Sequence, residues 1–229
     1  MGEVPGDGGC LKTEACWESH SLQGTPMEVW CAAVLHGGDV LWTGGDDGCL
    51  RAWDTRASPP PSRALPLSRA HTAGVTTIAP HPNPSSHLVA TGGYDERLLL
   101  WDSRMLHPTV APLEEYNLGG GVWRVAWGEG VGNPDSLAAA CMYGGARVVS
   151  GVGSTPGVTE LASSSTGGSV GTPDGGGVGG GVRGRVSSSY FGHQSKALTY
   201  GVAWVEKDLV ATCAFYSKEV RVWSPSCYP

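Results

Sequence analysis

Positive charge is scarce in this chain of 229 residues: 15 lysines and arginines stand against 21 aspartates and glutamates, a formal net charge of −6. Sequence-independent binding of nucleic acid needs a basic face, so nucleic acid is not expected as a partner. No apolar run reaches the ~20 residues that cross a bilayer, and no basic-then-apolar leader follows Met1, so no membrane association is expected. Metal-type cysteine pairs are missing as well. The seven cysteines (Cys10, Cys16, Cys31, Cys49, Cys141, Cys213 and Cys227) show no CxxC spacing and no disulfide framework. Neither structural zinc nor any other cofactor is expected. Several of these thiols fall inside predicted strands, which suits reduced cysteines in a cytoplasmic protein.

What the chain does have is a repeat. Ala90 to Arg104 reads ATGGYDERLLLWDSR, and Trp42 to Arg56 reads WTGGDDGCLRAWDTR. Each is a strand, a tight turn and a second strand, with the punctuation of a β-hairpin. Two weaker copies follow, LAAACMYGGARVVSG from Leu137 and LVATCAFYSKEVRVW from Leu209. In the first of these, Ser150 is aligned with the closing tryptophan. A short strand precedes each hairpin, beginning near Val29, Val75, Val122 and Tyr200. A period of about 40–50 residues ending on Trp-Asp resembles the blade of a WD-repeat β-propeller. The expected fold is therefore all-β, with about four blades present of a probable seven, an incomplete arc.

The expected organisation is a flexible tail over 1–16, blades one to three over 17–162, a Gly/Ser-rich disordered insert over 163–189, and blade four over 190–229. The insert collapses to Gly, Ser, Val and Thr, a composition that cannot bury enough apolar area to order itself. Two catalytic-looking patterns fall inside it. Gly167-Gly168-Ser169-Val170-Gly171 matches a nucleophile elbow and Gly175-x-Gly177-x-x-Gly180 a dinucleotide fingerprint. Both need a strand-to-helix context that is absent here, so neither is read as a site.

The WD-repeat resemblance implies a buried chain of loop His, strand Thr, turn Asp and strand Trp in each blade. Carried onto this sequence, blade one supplies His20, Thr43, Asp47 and Trp53. Blade two supplies His71, Thr91, Asp95 and Trp101. Blade four supplies His193, Thr212 and Trp223, with Ser217 in the Asp slot. His71 and Asp95 read as structural partners rather than a catalytic pair, because a buried polar group must be satisfied.

Two further patterns carry function. Trp53-Asp54-Thr55-Arg56 and Trp101-Asp102-Ser103-Arg104 resemble the W-D-x-R of substrate receptors that dock on the adaptor of a cullin-RING ubiquitin ligase. That makes Arg56 and Arg104 candidate adaptor contacts; the alternative is local pairing with the preceding Asp. Trp30, Trp123 and Tyr200 begin innermost strands, whose first residues reach a face where propellers bind ligands. Glu28 and Arg124 flank them.

Beyond the repeats, the runs SLQGTPMEVWCAA, GGGVWRVAW, LAAACMYGG, LTYGVAW and ATCAFYSKEVRVW resemble, in order, the WD-repeat diphthine methylesterase family of diphthamide biosynthesis. The resemblance covers about Trp17 to Trp223 apart from the insert. It implies an ester hydrolase that removes a methyl ester from diphthine, a modified histidine of elongation factor 2. Diphthine also carries a trimethylammonium group, and a cation without N–H donors suits aromatic faces and carboxylates. Glu28, Trp30, Trp123 and Tyr200 are then candidate substrate contacts, and Arg124 a candidate donor to the ester. No catalytic nucleophile or base stands out by spacing. The alternative reading is a non-catalytic WD-repeat scaffold or ligase substrate receptor.

Overall fold

The computed structural model describes residues 16–56, 64–68, 71–104, 111–153, 184–192 and 197–227. A two-residue pairing of β1 (Ser21–Leu22) with β2 (Thr25–Pro26) comes first. Four antiparallel sheets then follow in chain order. Blade one is β3 (Val29–Val34), β4 (Val40–Gly45), β5 (Leu50–Asp54) and β6 (Ala64–Ser68). Blade two is β7 (Val75–Pro80), β8 (Leu88–Gly93), β9 (Arg97–Asp102) and β10 (Glu114–Asn117). Blade three is β11 (Arg124–Gly128), β12 (Asn133–Ala140), β13 (Ala146–Ser150) and β14 (Arg185–Tyr190). Blade four is β15 (Thr199–Glu206), β16 (Leu209–Ala214) and β17 (Glu219–Trp223). The first strands of successive blades pack side by side, β3 on β7, β7 on β11 and β11 on β15.

The core lies between blades. The unbroken run Leu98-Leu99-Leu100-Trp101 in β9 is explained by burial on both faces of the strand. Leu98 and Leu100 point into the layer shared with blade three, against Leu118, Val122, Leu137 and Val149. Leu99 and Trp101 point the other way, into the layer shared with blade one, against Trp42, Leu50 and Val75. A third layer joins blades three and four through Ala138, Val148, Tyr190, Val210 and Trp223.

Two glycines set the inter-blade spacing. A Cβ on Gly44 would stand 2.7 Å from Cγ1 of Val75, and one on Gly92 would stand 2.5 Å from Cγ1 of Val122. In blades one and two the second strand thus lets the chain at, or just before, the next blade's first strand lie on its backbone. The hairpin turns demand a left-handed residue: Gly48 has φ 71° in blade one and Glu96 φ 67° in blade two. Apolar side chains remain uncovered on β3 and β17, where Val34, Val220 and Val222 are exposed.

Two expectations are corrected. The segment 163–189 was expected to be a disordered insert throughout, yet Arg185–Tyr190 forms the outer strand of blade three, paired to β13. Its buried alternating residues are Ser188 and Tyr190, and a serine in that role leaves no apolar period to read. Ser150 does not occupy the tryptophan slot of blade three. Trp53 and Trp101 pair with Leu41 and Val89, and the equivalent pairing with Leu137 is made by Val149. The glycine-rich patterns around Ser169 and Gly177 lie outside the described residues.

Candidate functional site

The hairpin turns and the beginnings of the first strands lie at one end of the sheets, and the polar chains hold that end together. In blade two the indole N–H of Trp101 donates to Oγ1 of Thr91 at 2.9 Å. The Thr91 hydroxyl meets Nε2 of His71 at 3.0 Å, and Nδ1 of His71 meets Oδ1 of Asp95 at 2.9 Å. Blade one repeats this with Trp53, Thr43, His20 and Asp47, over 2.9, 2.9 and 2.8 Å. One neutral tautomer satisfies each chain: Trp donates to Thr, Thr to His Nε2, and His Nδ1–H to Asp. Burial favours the same state, lowering the pKa of His20 against the opposing pull of Asp47. Burial works against ionisation of Asp47, but hydrogen bonds from His20, Arg51 and the Cys49 amide outweigh it and hold the carboxyl low. In both blades these residues form one closed, buried hydrogen-bonded chain.

Blade three has exchanged the whole chain for apolar groups. The Leu118 amide donates to the Glu96 carbonyl as that of His71 does to Gly48, which puts Leu118 in the His position; register puts Ala139 in the Thr position and Val149 in the Trp position, and all three are buried. Blade four keeps Thr212 and Trp223 buried, with Trp223 stacked on Tyr190 at 4.7 Å and 5° between planes. His193 lies outside the described residues, and Ser217 is half-buried in the blade-four turn.

The W-D-x-R arginines face solvent at the opposite end. Arg56 bonds Asp54 through Nε and Nη2 at 2.9 and 2.8 Å, and Arg104 bonds Asp102 in the same forked way. Hydrogen bonding to Arg56 pulls the Asp54 carboxyl down to about 2. Both guanidinium groups are thus held by their own strand end.

At the turn end the aromatic side chains converge. Trp30 of β3 and Trp123, one residue before β11, have ring centroids 5.8 Å apart. Trp123 and Tyr200 of β15 are 5.2 Å apart. The three rings expected from the sequence therefore form one continuous cluster. Three others were not foreseen. Tyr94, in the blade-two turn beside Asp95, touches both Trp30 at 5.9 Å and Trp123 at 5.8 Å. Phe215 and Tyr216, in the equivalent turn of blade four, extend the cluster beyond Tyr200. The signal was available, since these three occupy the turn that separates the paired strands of each hairpin. Reading that turn only as punctuation hid them.

The cluster is open to solvent: Trp30 is 43 %, Phe215 71 % and Tyr216 65 % exposed. Glu28 and Asp46 are exposed beside it, and the amide of Asp46 donates to the Glu28 carbonyl at 2.9 Å. Burial, then the neighbouring Tyr200 and Asp46, raise the pKa of the Tyr94 phenol. Arg124 is exposed on β11 and forms no ion pair with a described residue. Its charge reaches the Cys31 thiol, which burial still pushes up to about 12, so Cys31 is no thiolate nucleophile. Among the described residues no cluster of His, Cys, Asp and Glu could hold a metal ion.

Comparison with known proteins follows the same lines. The WD domain, G-beta repeat family matches residues 16–54 and 64–102, blades one and two. A human protein named diphthine methyltransferase is 38 % identical over 61 % of this chain and 28 % of its own length. The Dictyostelium discoideum homolog of that name is 28 % identical over 93 % of this chain and 53 % of its own. The Schizosaccharomyces pombe protein is 28 % identical over 95 % of this chain and 55 % of its own. The chain thus spans about half, or less, of the length of these relatives. A chain in the crystal structure of the mitotic checkpoint complex superposes with a TM-score of 0.58 at 18 % identity, over 89 % of this chain and 51 % of its own, and shows the fold alone.

Proposed function

We propose that this chain is part of an enzyme that hydrolyses the methyl ester of diphthine on elongation factor 2, a reading supported by the WD domain, G-beta repeat match in blades one and two and by the likeness to relatives named diphthine methyltransferase. The observation that carries this reading is where the likeness runs. It extends over 93 % and 95 % of the chain in two relatives, through blades three and four. In those blades the WD pattern has decayed, so likeness there is not the common inheritance of all propellers.

Hydrolysis of an ester needs a held substrate, an attacking water, and donors for the oxyanion that develops. The aromatic end offers the first and the last. Trp30, Trp123 and Tyr200 gather three aromatic rings where a cationic substrate would sit, and Glu28 adds negative charge. Arg124, next to Trp123 and without an ion-pair partner among the described residues, is the donor to the ester carbonyl. The same reading assigns the work to the cytoplasm, where the translation factor operates.

The test is incubation of the purified protein with elongation factor 2 bearing the methyl ester, following methanol by gas chromatography and the factor by intact mass. Methanol release with loss of about one CH₂ mass supports hydrolysis. Gain of a methyl group from an added donor, as the relatives' names suggest, would overturn it. Arg124→Ala should lower kcat more than it raises KM if the guanidinium acts in the transition state.

A further inference from the structure

Three rings of the aromatic cluster stand in an arrangement the others do not share. The centroids of Trp30, Tyr94 and Trp123 are 5.9, 5.8 and 5.8 Å apart, a nearly equilateral triangle. Their planes are inclined to one another by 80°, 72° and 60°. Rings inclined this steeply form no flat stack, and Trp30 among them is 43 % exposed. A group centred ~3 Å above that triangle is within ~5 Å of all three centroids, inside the ~6 Å reach of a cation–π contact. The rings are too close together for a cation to slip between them, so the site is a shallow corner open to solvent.

Charge completes the corner. Asp46 lies beside Tyr94 near enough to raise its phenol, and Gly74 makes room for it: a Cβ there would stand 2.7 Å from Oδ1 of Asp46. Neither Asp46 nor Glu28 forms an ion pair with a described residue. Ring faces and an unneutralised carboxylate attract a cation; they offer few acceptors arranged for N–H donors. An ion with methyl groups in place of N–H is the better match, because it loses no hydrogen bonds to water on leaving it.

We infer that Trp30, Tyr94 and Trp123, with Asp46 beside them, form a binding site for a quaternary, methylated ammonium group. As the seat of a substrate's trimethylammonium it rests on the reading under Proposed function; as a cation site it rests on the rings. Tyr94 and Asp46 become specificity-determining residues, with Tyr94 supplying the wall that links blade one to blade three.

The probes are choline chloride and its neutral isostere 3,3-dimethyl-1-butanol, titrated into the whole chain and followed by ligand-detected NMR. The choline methyl resonance should move upfield under the ring currents, and the isostere should bind roughly tenfold more weakly. Trp30→Ala and Tyr94→Ala should each weaken choline by roughly two- to tenfold, Tyr94→Phe should retain most of the binding, and Asp46→Asn should weaken it and reduce its salt dependence. Equal binding of the isostere, or choline binding unchanged in both alanine variants, would overturn the site. Tyr94→Phe guards against misreading a folding defect, since it keeps the ring and deletes only the hydroxyl. Methanol release, measured on the same samples, separates the two ideas. Choline binding without ester cleavage leaves the site and removes the hydrolase; ester cleavage without choline binding does the reverse.

Discussion

Replacing Thr91 by valine isolates the worth of the buried polar chain, because volume is kept and one hydroxyl is lost. Thr91 is fully buried and its Oγ1 serves two neighbours, the Trp101 indole at 2.9 Å and His71 Nε2 at 3.0 Å. Valine would leave a buried N–H and a buried ring nitrogen unsatisfied, at ~1–3 kcal/mol each. Some relaxation is expected, so we place the total near ~2–4 kcal/mol. For a chain of this size that is a fall in midpoint of roughly 4–15 °C. Thr91→Ser keeps the hydroxyl and loses a methyl, so it should cost only about 1 kcal/mol. The measurement is urea denaturation of the two variants side by side, with an unchanged slope as the check on two-state behaviour. In a His71→Leu background the further cost of Thr91→Val should shrink, since one of its partners is already gone. If valine and serine cost the same, the hydrogen-bonded chain contributes nothing net and the argument fails.

Acid should loosen blade one at mildly low pH. Burial lowers the pKa of His20, so the unfolded chain takes up the proton first. Stability is then fully present above the unfolded value near 6.5 and is lost as pH falls through the lower folded value. Asp47, also held low, loses stability in the same direction at more acidic pH. Denaturation midpoints measured from pH 8 to 4 should fall below about 6.5, and a His20→Leu variant should flatten the upper part of that fall; a flat wild-type profile would refute it. At the other end, Arg56→Ala with Arg104→Ala should leave the denaturation midpoint nearly unchanged, since both guanidinium groups face solvent. If Arg56 and Arg104 serve an adaptor protein beyond this local pairing, the same double variant should reduce recovery of a cullin-RING adaptor in a pull-down while methanol release is unaltered; undiminished recovery leaves only the local Asp–Arg pairing.

How much was legible in the sequence differs blade by blade, for a physical reason. Blades one and two carry chemistry that only certain residues can perform: an indole donor, a hydroxyl relay, an imidazole and a carboxylate. Those identities fix the register, and the WD-repeat resemblance could be carried position by position onto Thr43, Asp47, Thr91 and Asp95. In blade three, apolar side chains do the same space-filling without distinctive identity. Leu118, Ala139 and Val149 are interchangeable in type with their neighbours, so Ser150 drew the eye as the unusual residue. The aromatic end was half legible, because strand starts are marked by periodicity whereas Tyr94, Phe215 and Tyr216 stand in turns. Blade three also shows that the polar chain can be removed as a unit, which makes a reverse experiment decisive. Ala139→Thr restores the hydroxyl where Leu118 and Val149 offer it no partner. Its methyl and hydroxyl also have to fit a fully buried position. The expected cost is ~2–4 kcal/mol from an unsatisfied hydroxyl and overpacking, read by the same urea titration. A single Ala139→Thr that melts with the parent would mean that threonine is tolerated there without its chain. In that case the coordinated loss of all three polar groups from blade three would need a different cause.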